Sequence, residues 1–487
     1  MQRNNELDTI SQSLLHLVPE IILTFGILLF IFLALFKPNI NILRWVSIVV
    51  LATSAYLISQ TGFNSSVVLF NGMLKLDGFS LYMKILMDVA GILMCLMPME
   101  KEKQHAPEFY ALLISAILGG HLLASTTHAL VVFLSLELLS ISSYVLAGYS
   151  FSKKGSEASL KYFLFGSVAS AVMLYGFSLL FGITGTLDFA SEEFYKQIIQ
   201  KDSPLILMAS FMVLAGFLYK ISAAPMHPWA PDVYEGAPIP VIAFLSVAPK
   251  FAGITVLAKF IIASSIFGQS LYDWQQIIAV IALVTIGVGN FSALRQQNAK
   301  RLMAYSSIAQ SGFMLVGIAA FSSEGLQTLL FYASVYLVMN FMVFLYLQFF
   351  EKHGYENINA FSGAGKRLLW PSIFLLIGLI ALTGLPPTGG FTAKLLIFST
   401  LWQSYEVNKN AILIGLLIFG LVNTVISLFY YLRIPYYAFL KAGQPAEKPN
   451  LITFENLFGL ILVLVLLILF FTPGVLMSWI NKINFVL

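Results

Sequence analysis

LMASFMVLAGFLYKISAAPMHPWAP, residues 207–231, is an apolar run that ends in a lysine and then in three prolines. Pro225, Pro228 and Pro231 have no amide hydrogen to give an α-helix, and their rings clash with the preceding turn, so a helix arriving at Lys220 must break there. A second stretch repeats the theme: TGLPPTGGFTAKLLIF, 383–398, sets Pro386, Pro387, Gly389 and Gly390 inside the apolar region 370–402, which is too long for one ordinary span, with Lys394 just beyond. Unwound backbone is tolerated in hydrocarbon only where it lines a cavity or is buried in protein, and paired broken helices are the sequence pointer to an ion site in transporters. A lysine at mid-membrane depth costs about 2.5–3.5 kcal/mol on insertion scales, so one kept inside is a functional residue by default. The bland alternative for both is a lysine snorkelling to the interface beside a structural kink.

The rest of the 487 residues fits a membrane solvent: 59% are hydrophobic and 10% charged, against roughly 25% charged in a soluble domain. With 27 basic and 23 acidic residues the net charge is +4, which excludes the basic surface that a nucleic-acid partner requires. Cys95 is the only cysteine, excluding an internal disulfide, a cysteine-ligated zinc site and an iron–sulfur cluster held by this chain alone. The first 18 residues, with Glu6, Asp8 and a single Arg3, lack the features of a signal peptide, so the stretch after Pro19 is expected to be a retained helix.

The fold class expected is all-α, multi-pass, with about fourteen transmembrane helices, two of them broken. They are placed near 19–36, 41–60, 77–98, 107–124, 127–150, 158–183, 204–222, 239–263, 275–293, 301–321, 326–350, 370–402, 411–438 and 453–476. Residues 61–76 alternate around Asn71-Gly72 and read as a small exposed hairpin. Positive charge concentrates in cytoplasmic loops. Odd-numbered connections hold Lys37, Arg44, Lys101, Lys103, Lys153, Lys154, Lys161, Arg295, Lys300, Arg301, Lys352, Lys366, Arg367, Lys441 and Lys448; even-numbered ones hold only Lys75, Lys196, Lys201 and Lys409. That bias supports the count and puts both termini on the non-cytoplasmic side. The connection 184–204, with Asp188, Glu192, Glu193 and Asp202, is acidic as that side requires.

Six basic residues remain inside spans: Lys84, Lys220, Lys250, Lys259, Lys394 and Arg433. Glu137, in FLSLELLSISSYVL (133–146), is a lone carboxylate that must take a proton or find a cation, and Lys220 is the natural partner. A structural, helix-packing carboxylate is the alternative. Lys250 follows Pro249 in the middle of VIAFLSVAPKFAGITVLAKF (241–260), placed to exchange a proton between the two broken helices. Lys259 lies nearer the helix end and reads first as a snorkelling lysine, second as a relay. Lys84 and Asp88, at i and i+4, read as a structural pair. Arg433 ends its helix near the cytoplasmic surface. His227, in the first break, is a candidate proton relay. His121 and His128, seven residues apart across a loop, have poor spacing for a haem or metal pair, and GAGKR (363–367) lacks the features of a phosphate-binding loop.

GFLYKISAAPMHPWAPDVYEGAP (216–238), NFSALRQQNAKRLMAYSSIAQSGFML (290–315) and TGLPPTGGFTAKLLIF (383–398) resemble the antiporter-like membrane subunits of NADH–quinone oxidoreductase, respiratory complex I, and among them the subunit N family. The resemblance covers nearly the whole chain. The chain ends soon after the fourteenth expected helix, unlike the subunit L family, and Lys394 stands where the subunit M family would carry a glutamate. Gln310 stands where several relatives carry histidine.

The resemblance implies two inverted five-helix repeats, 107–263 and 275–438, preceded by N-terminal helices in 1–106 and followed by a C-terminal helix in 439–487. It implies a proton path through Glu137, Lys220, Lys250 and Lys394, with His227, Lys259 and Gln310 as further relay positions. It also implies a place in a bacterial inner membrane beside other complex I membrane subunits, with NADH, FMN, iron–sulfur clusters and quinone on other subunits and no cofactor or metal on this chain. The rival functions are an Mrp-type cation/proton antiporter subunit and a structural spacer that does not pump; the spacer predicts that changing the buried lysines is silent.

Overall fold

The computed structural model describes residues 13–36, 39–63, 66–98, 105–201, 203–266, 273–442, 454–483 and 485, with the side chains of 264–266 left aside. Of the charges on which the expected topology rests, Lys37, Lys101, Lys103, Asp202 and Lys448 lie outside the described residues, as do Arg3, Glu6 and Asp8. The helices are α1 (Val18–Leu33), α2 (Ile40–Gln60), α3 (Gly78–Leu96), α4 (Ala106–Ala124), α5 (Ala129–Ala147), α6 (Lys153–Thr184), α7 (Glu192–Lys201) and α8 (Pro204–Lys220). They continue as α9 (Trp229–Gly236), α10 (Ile239–Leu245), α11 (Ala248–Ile266), α12 (Trp274–Ala293), α13 (Ala299–Ala319) and α14 (Ser323–Lys352). The last are α15 (Leu369–Thr383), α16 (Gly389–Asn408), α17 (Ala411–Tyr431), α18 (Arg433–Leu440), α19 (Phe454–Phe471) and α20 (Pro473–Ile480).

Among the described residues, twelve helical segments are long and apolar enough to cross a membrane, and α8 and α15 are shorter apolar helices. Helices dominate because hydrocarbon offers no partner for a free amide or carbonyl, so each spanning segment must bond its own backbone. Their starts carry the expected caps: Asn39, Ser152, Ser203, Asn298, Ser322 and Asn410 each accept from a first-turn amide, and Asp77 and Ser80 form a reciprocal capping box. Large apolar side chains such as Phe25, Phe32, Trp45, Tyr56, Phe165, Val425 and Ile461 lie exposed on α1, α2, α6, α17 and α19. Such faces are stable only against lipid or another apolar surface.

The described residues form two compact units. The first lies within Met1–Ile221, Ala248–Trp274 and Lys482–Leu487; the second, within Ser222–Val247 and Gln275–Asn481. In the first, α6 and α8 close on each other at Gly176, where a Cβ would stand 2.7 Å from Ala209 O. In the second, α14 is buried along its span and packs against α13, α15, α16 and α19. Arg433 does more than end a helix: its Nη1 donates to Leu294 O and Gln296 O, both at 2.9 Å, and so satisfies carbonyls left open after α12.

The hairpin is present, β1 (Val67–Leu69) pairing antiparallel with β2 (Leu74–Leu76). It is not simply exposed. Leu69, Leu74 and Leu76 bury one face with Leu17, Ile58 and Leu81, as the alternation of a half-buried strand allows.

Both expected breaks occur. After α8 the backbone leaves the helix from Ile221 to Pro228, passing through Ser222 at φ 53, and after α15 it does so from Gly384 to Thr388. Each break contains one cis X–Pro bond, Ala224–Pro225 and Pro386–Pro387. The region expected as one helix over 239–263 is also divided, into α10 and α11, with a turn at Ser246 and Val247. Pro249 is the cause, since it cannot donate to Leu245 O four residues back.

Candidate functional site

Glu137 lies half-buried on α5, and Ser140 is one turn further along the same face. Lys220, the last residue of α8 and 1% exposed, donates from Nζ to Ser140 Oγ at 2.9 Å. The structure thus brings Lys220 to the helix of Glu137 but seats it on the hydroxyl, with no direct ion pair between the two among the described residues. Lys250 is fully buried in the first turn of α11. Gly253, one turn along the same face, packs against the Lys220 stem, where a Cβ would stand 3.3 Å from Lys220 Cβ. The two lysines therefore share the α8–α11 contact.

In the second unit Lys394, 4% exposed, reaches back from α16 across its break. Its Nζ donates to Thr383 O at 2.8 Å and lies 4.5 Å from the centre of the Phe313 ring. Thr383 ends α15, so the acceptor is one of the carbonyls that a helix C-terminus leaves open, at the negative end of its dipole. Two glycines make the approach possible. Gly384 takes φ 85, which a side chain resists, and a Cβ on Gly390 would stand 1.9 Å from Ala381 O. A cavity of about 470 Å³ opens beside Lys394, lined by Phe391, Phe398, Trp402, Leu421 and Thr424 among others.

The neighbouring carbonyl, Leu382 O, accepts from Gln310 Nε2 at 3.2 Å. Gln310 is the hub of a hydroxyl network that the sequence reading missed. It accepts from Tyr332 Oη and donates to Tyr431 Oη at 3.3 Å; Tyr431 in turn bonds the Ser306 hydroxyl. Ser307 bonds Tyr336 Oη and Tyr234 Oη, each at 3.0 Å. Tyrosines in apolar helices look like packing residues until their partners are seen. His227 sits half-buried in the first break, its carbonyl accepting from Ala230 N at 3.0 Å and its Nδ1 making no hydrogen bond among the described residues.

Two expectations are corrected. Lys84 does not pair with Asp88 on its own helix. Its Nζ reaches Glu20 Oε1 on α1 at 2.7 Å, while Asp88 Oδ2 accepts from Ser54 Oγ on α2 at 2.8 Å. In a packed bundle, facing helices offer these buried groups closer partners than their own surface does. Lys259 does not snorkel: it is 2% exposed and pairs with Asp77 Oδ2 at 2.5 Å, with Ser80 Oγ at 3.3 Å. Nine residues turn Lys259 half-way round α11 from Lys250, so the two serve opposite faces.

The buried lysines thus divide by partner. Lys84 and Lys259 are bound to carboxylates and need their charge. Lys220 and Lys394 donate to neutral oxygens, which an amine can still satisfy after losing its proton. Among the described residues no group of three or more His, Cys, Asp or Glu could hold a metal ion.

The family model for the NADH:quinone oxidoreductase/Mrp antiporter transmembrane region matches residues 126–427. NADH-quinone oxidoreductase subunit N of Chlorobium chlorochromatii is 37% identical over 486 residues, covering 96% of this chain and 94% of the relative. The protein of the same name from an Anaeromyxobacter species is 39% identical over 466 residues, covering 90% of each. Among solved structures, a chain of respiratory complex I from Thermus thermophilus superposes with a TM-score of 0.80 at 27% identity, covering 96% of this chain and 100% of its own. A chain of the Mrp complex from a Dietzia species gives 0.82 at 20% identity over 96% of each chain, a likeness of fold alone.

Proposed function

The chain belongs to the NADH:quinone oxidoreductase/Mrp antiporter membrane family, in its subunit N branch, and from that premise we propose that protons cross it through Glu137, Lys220, Lys250 and Lys394. As a subunit of NADH–quinone oxidoreductase it does the translocating part of the work. NADH, FMN, iron–sulfur clusters and quinone belong to other subunits, so its own residues move no electrons.

The observation that carries the proposal is the division of buried lysines by partner. Lys220 and Lys394 are held by a hydroxyl and a carbonyl, so each keeps a hydrogen bond in both protonation states. Electron transfer elsewhere in the complex biases the Glu137–Lys220 interaction; a proton held on Lys220 disfavours charge on Lys250, and the displaced proton passes towards Lys394. Gln310 and its tyrosine hydroxyls line the approach to the carbonyls beside Lys394, and His227 serves the first break. We assign Lys259 an anchoring role through Asp77 rather than a relay.

The same reading includes fourteen spans, inverted repeats over 107–263 and 275–438, N-terminal helices in 1–106, a C-terminal helix in 439–487, and both termini on the non-cytoplasmic side of a bacterial inner membrane. Other membrane subunits of complex I and the lipid bilayer are its partners.

The test separates charge from titration. A desolvated lysine can lose its proton near working pH, whereas arginine effectively cannot. Lys394→Arg therefore lowers NADH-driven pumping in membrane vesicles nearly as far as Lys394→Met, both normalised to assembled complex. A spacer tolerates arginine, and near-normal pumping by Lys394→Arg removes Lys394 from the path.

A further inference from the structure

Glu20 on α1, Lys84 and Asp88 on α3, and His121 on α4 meet inside the first unit, and all four are at most 5% exposed. His121 stands between the two carboxylates: Nδ1 is 3.6 Å from Glu20 Oε1 and Nε2 is 3.3 Å from Asp88 Oδ1. Among the described residues neither ring nitrogen, nor Glu20 Oε2, nor Asp88 Oδ1 has an aligned hydrogen bond beyond these ion-pair contacts. Four such atoms at one fully buried place call for a functional reason, because buried polar groups are otherwise bonded.

Formal charge supplies one. Glu20, Lys84 and Asp88 sum to −1, and one proton on the imidazole brings the cluster to zero. Low-dielectric surroundings favour the neutral sum, and the ring has a carboxylate on each side to receive it.

We propose that Glu20, Lys84, Asp88 and His121 form a one-proton site where the N-terminal helices meet the first helix of the first repeat, and that its occupancy sets the charge felt by Lys250 and Glu137. The placement follows from two glycines just before His121. A Cβ on Gly119 would lie 2.6 Å from Leu139 N and 3.0 Å from Ser135 O, which flank Glu137 on α5. A Cβ on Gly120 would lie 2.7 Å from Met87 Sδ beside Asp88, and 3.6 Å from Ala252 Cβ, two residues past Lys250. The cluster therefore stands at the level of the first-repeat site, about one interhelical distance (roughly 8–10 Å) away. At that separation, in a poorly screened interior, one charge shifts the proton affinity of another.

The charged groups carried by the helices packed on α4 are Glu20 on α1, Arg44 at the start of α2, and Lys84 and Asp88 on α3 with Asp77 at its N-cap. Glu137 comes from α5, and Lys250 and Lys259 from α11. Of these, Lys259 and Asp77 neutralise each other. The proton is taken up on a His121 nitrogen and leaves as a proton; no bond other than N–H forms or breaks, and no electron moves.

The inference rests on the translocation reading, and the test tells the two apart. Asp88→Asn/His121→Gln leaves Glu20 and Lys84 as a balanced pair with no site for the extra proton. The variant is made in the whole complex, reconstituted in liposomes and normalised to assembled protein. NADH oxidation by an artificial electron acceptor is unchanged, while pumping falls about five-fold and loses part of its pH dependence. A merely structural cluster predicts normal pumping, because no charge is left uncompensated, and a wild-type rate and pH profile overturns the proposal. Lys394→Met is measured alongside. If it stops pumping while the double variant does not, only the proton site falls; if both pump normally, the translocation reading falls with it. Should the double variant fail to assemble, Ser54→Ala carries the test, since it removes one hydrogen bond from Asp88 and no charge. It must shift the pH profile of pumping, and an unmoved profile overturns the site.

Discussion

The break after α8 and the break after α15 solve one problem in opposite ways. Lys220 lies before its break, at the end of α8, and finds a side-chain hydroxyl on another helix. Lys394 lies after its break, five residues into α16, and turns back to a main-chain carbonyl at the end of α15. The first break runs over eight residues, Ile221–Pro228, with Pro225 and Pro228 inside it; the second is shorter and depends on Gly384 and Gly390. A hydroxyl can rotate or be removed, whereas a carbonyl is fixed by the helix that carries it. The first lysine is thus tunable by neighbours, and the second is held by architecture.

Four experiments press on this contrast. The largest effect is expected at Gly390→Ala, where the new methyl meets Ala381 O. Overpacking of that kind costs about 1–3 kcal/mol or more, and loss of assembled complex on native gels is the readout. Normal assembly would mean that the second break yields as easily as the first. Next is the pair Glu137→Gln and Lys220→Ala. Each alone should lower pumping strongly, and the double variant should be less than additive, with a coupling of roughly 0.5–3 kcal/mol. Full additivity would mean that Ser140 alone, and not Glu137, governs Lys220.

A smaller effect is expected from Ser140→Ala. It removes the hydrogen bond to the titratable Lys220 amine, worth about 1.5–3 kcal/mol when that amine is charged, and should slow pumping several-fold while leaving assembly intact. If Ser140→Ala is silent, Lys220 is as rigidly held as Lys394. The last experiment should leave activity untouched. Single cysteines at Ser156, Glu193 and Asn359, all exposed, in a Cys95→Ser background should label from the cytoplasm, the opposite side and the cytoplasm respectively. Labelling of Glu193 and Asn359 from one side breaks the proposed fourteen-span arrangement, and with it the proposed inverted repeats.

How far the site could be read in advance depended on chemistry that leaves a one-dimensional mark. Lys220, Lys250 and Lys394 stand out because a lysine in an apolar run is costly and proline stops a helix wherever it occurs. Glu20 obeys the same cost rule yet escaped notice, and His121 was weighed only as a haem or metal ligand, since each lies within a few residues of its helix end, where a polar group ordinarily meets water. The division of 239–263 was also available from Pro249, but long apolar runs favour reading one helix.

Composition, breaks and lone charges are local properties, so the sequence by itself determined a multi-pass helical chain with two interrupted helices and a short inventory of interior ionisable residues. Partner choice is different. Lys84 has Asp88 one turn away and still pairs with Glu20; Lys259 leaves the interface for Asp77; Lys220 takes Ser140 beside Glu137. Only the tertiary structure decided these, because the strength of a buried charge contact depends on distances across helices, and those distances are set by which small residues allow two backbones to approach.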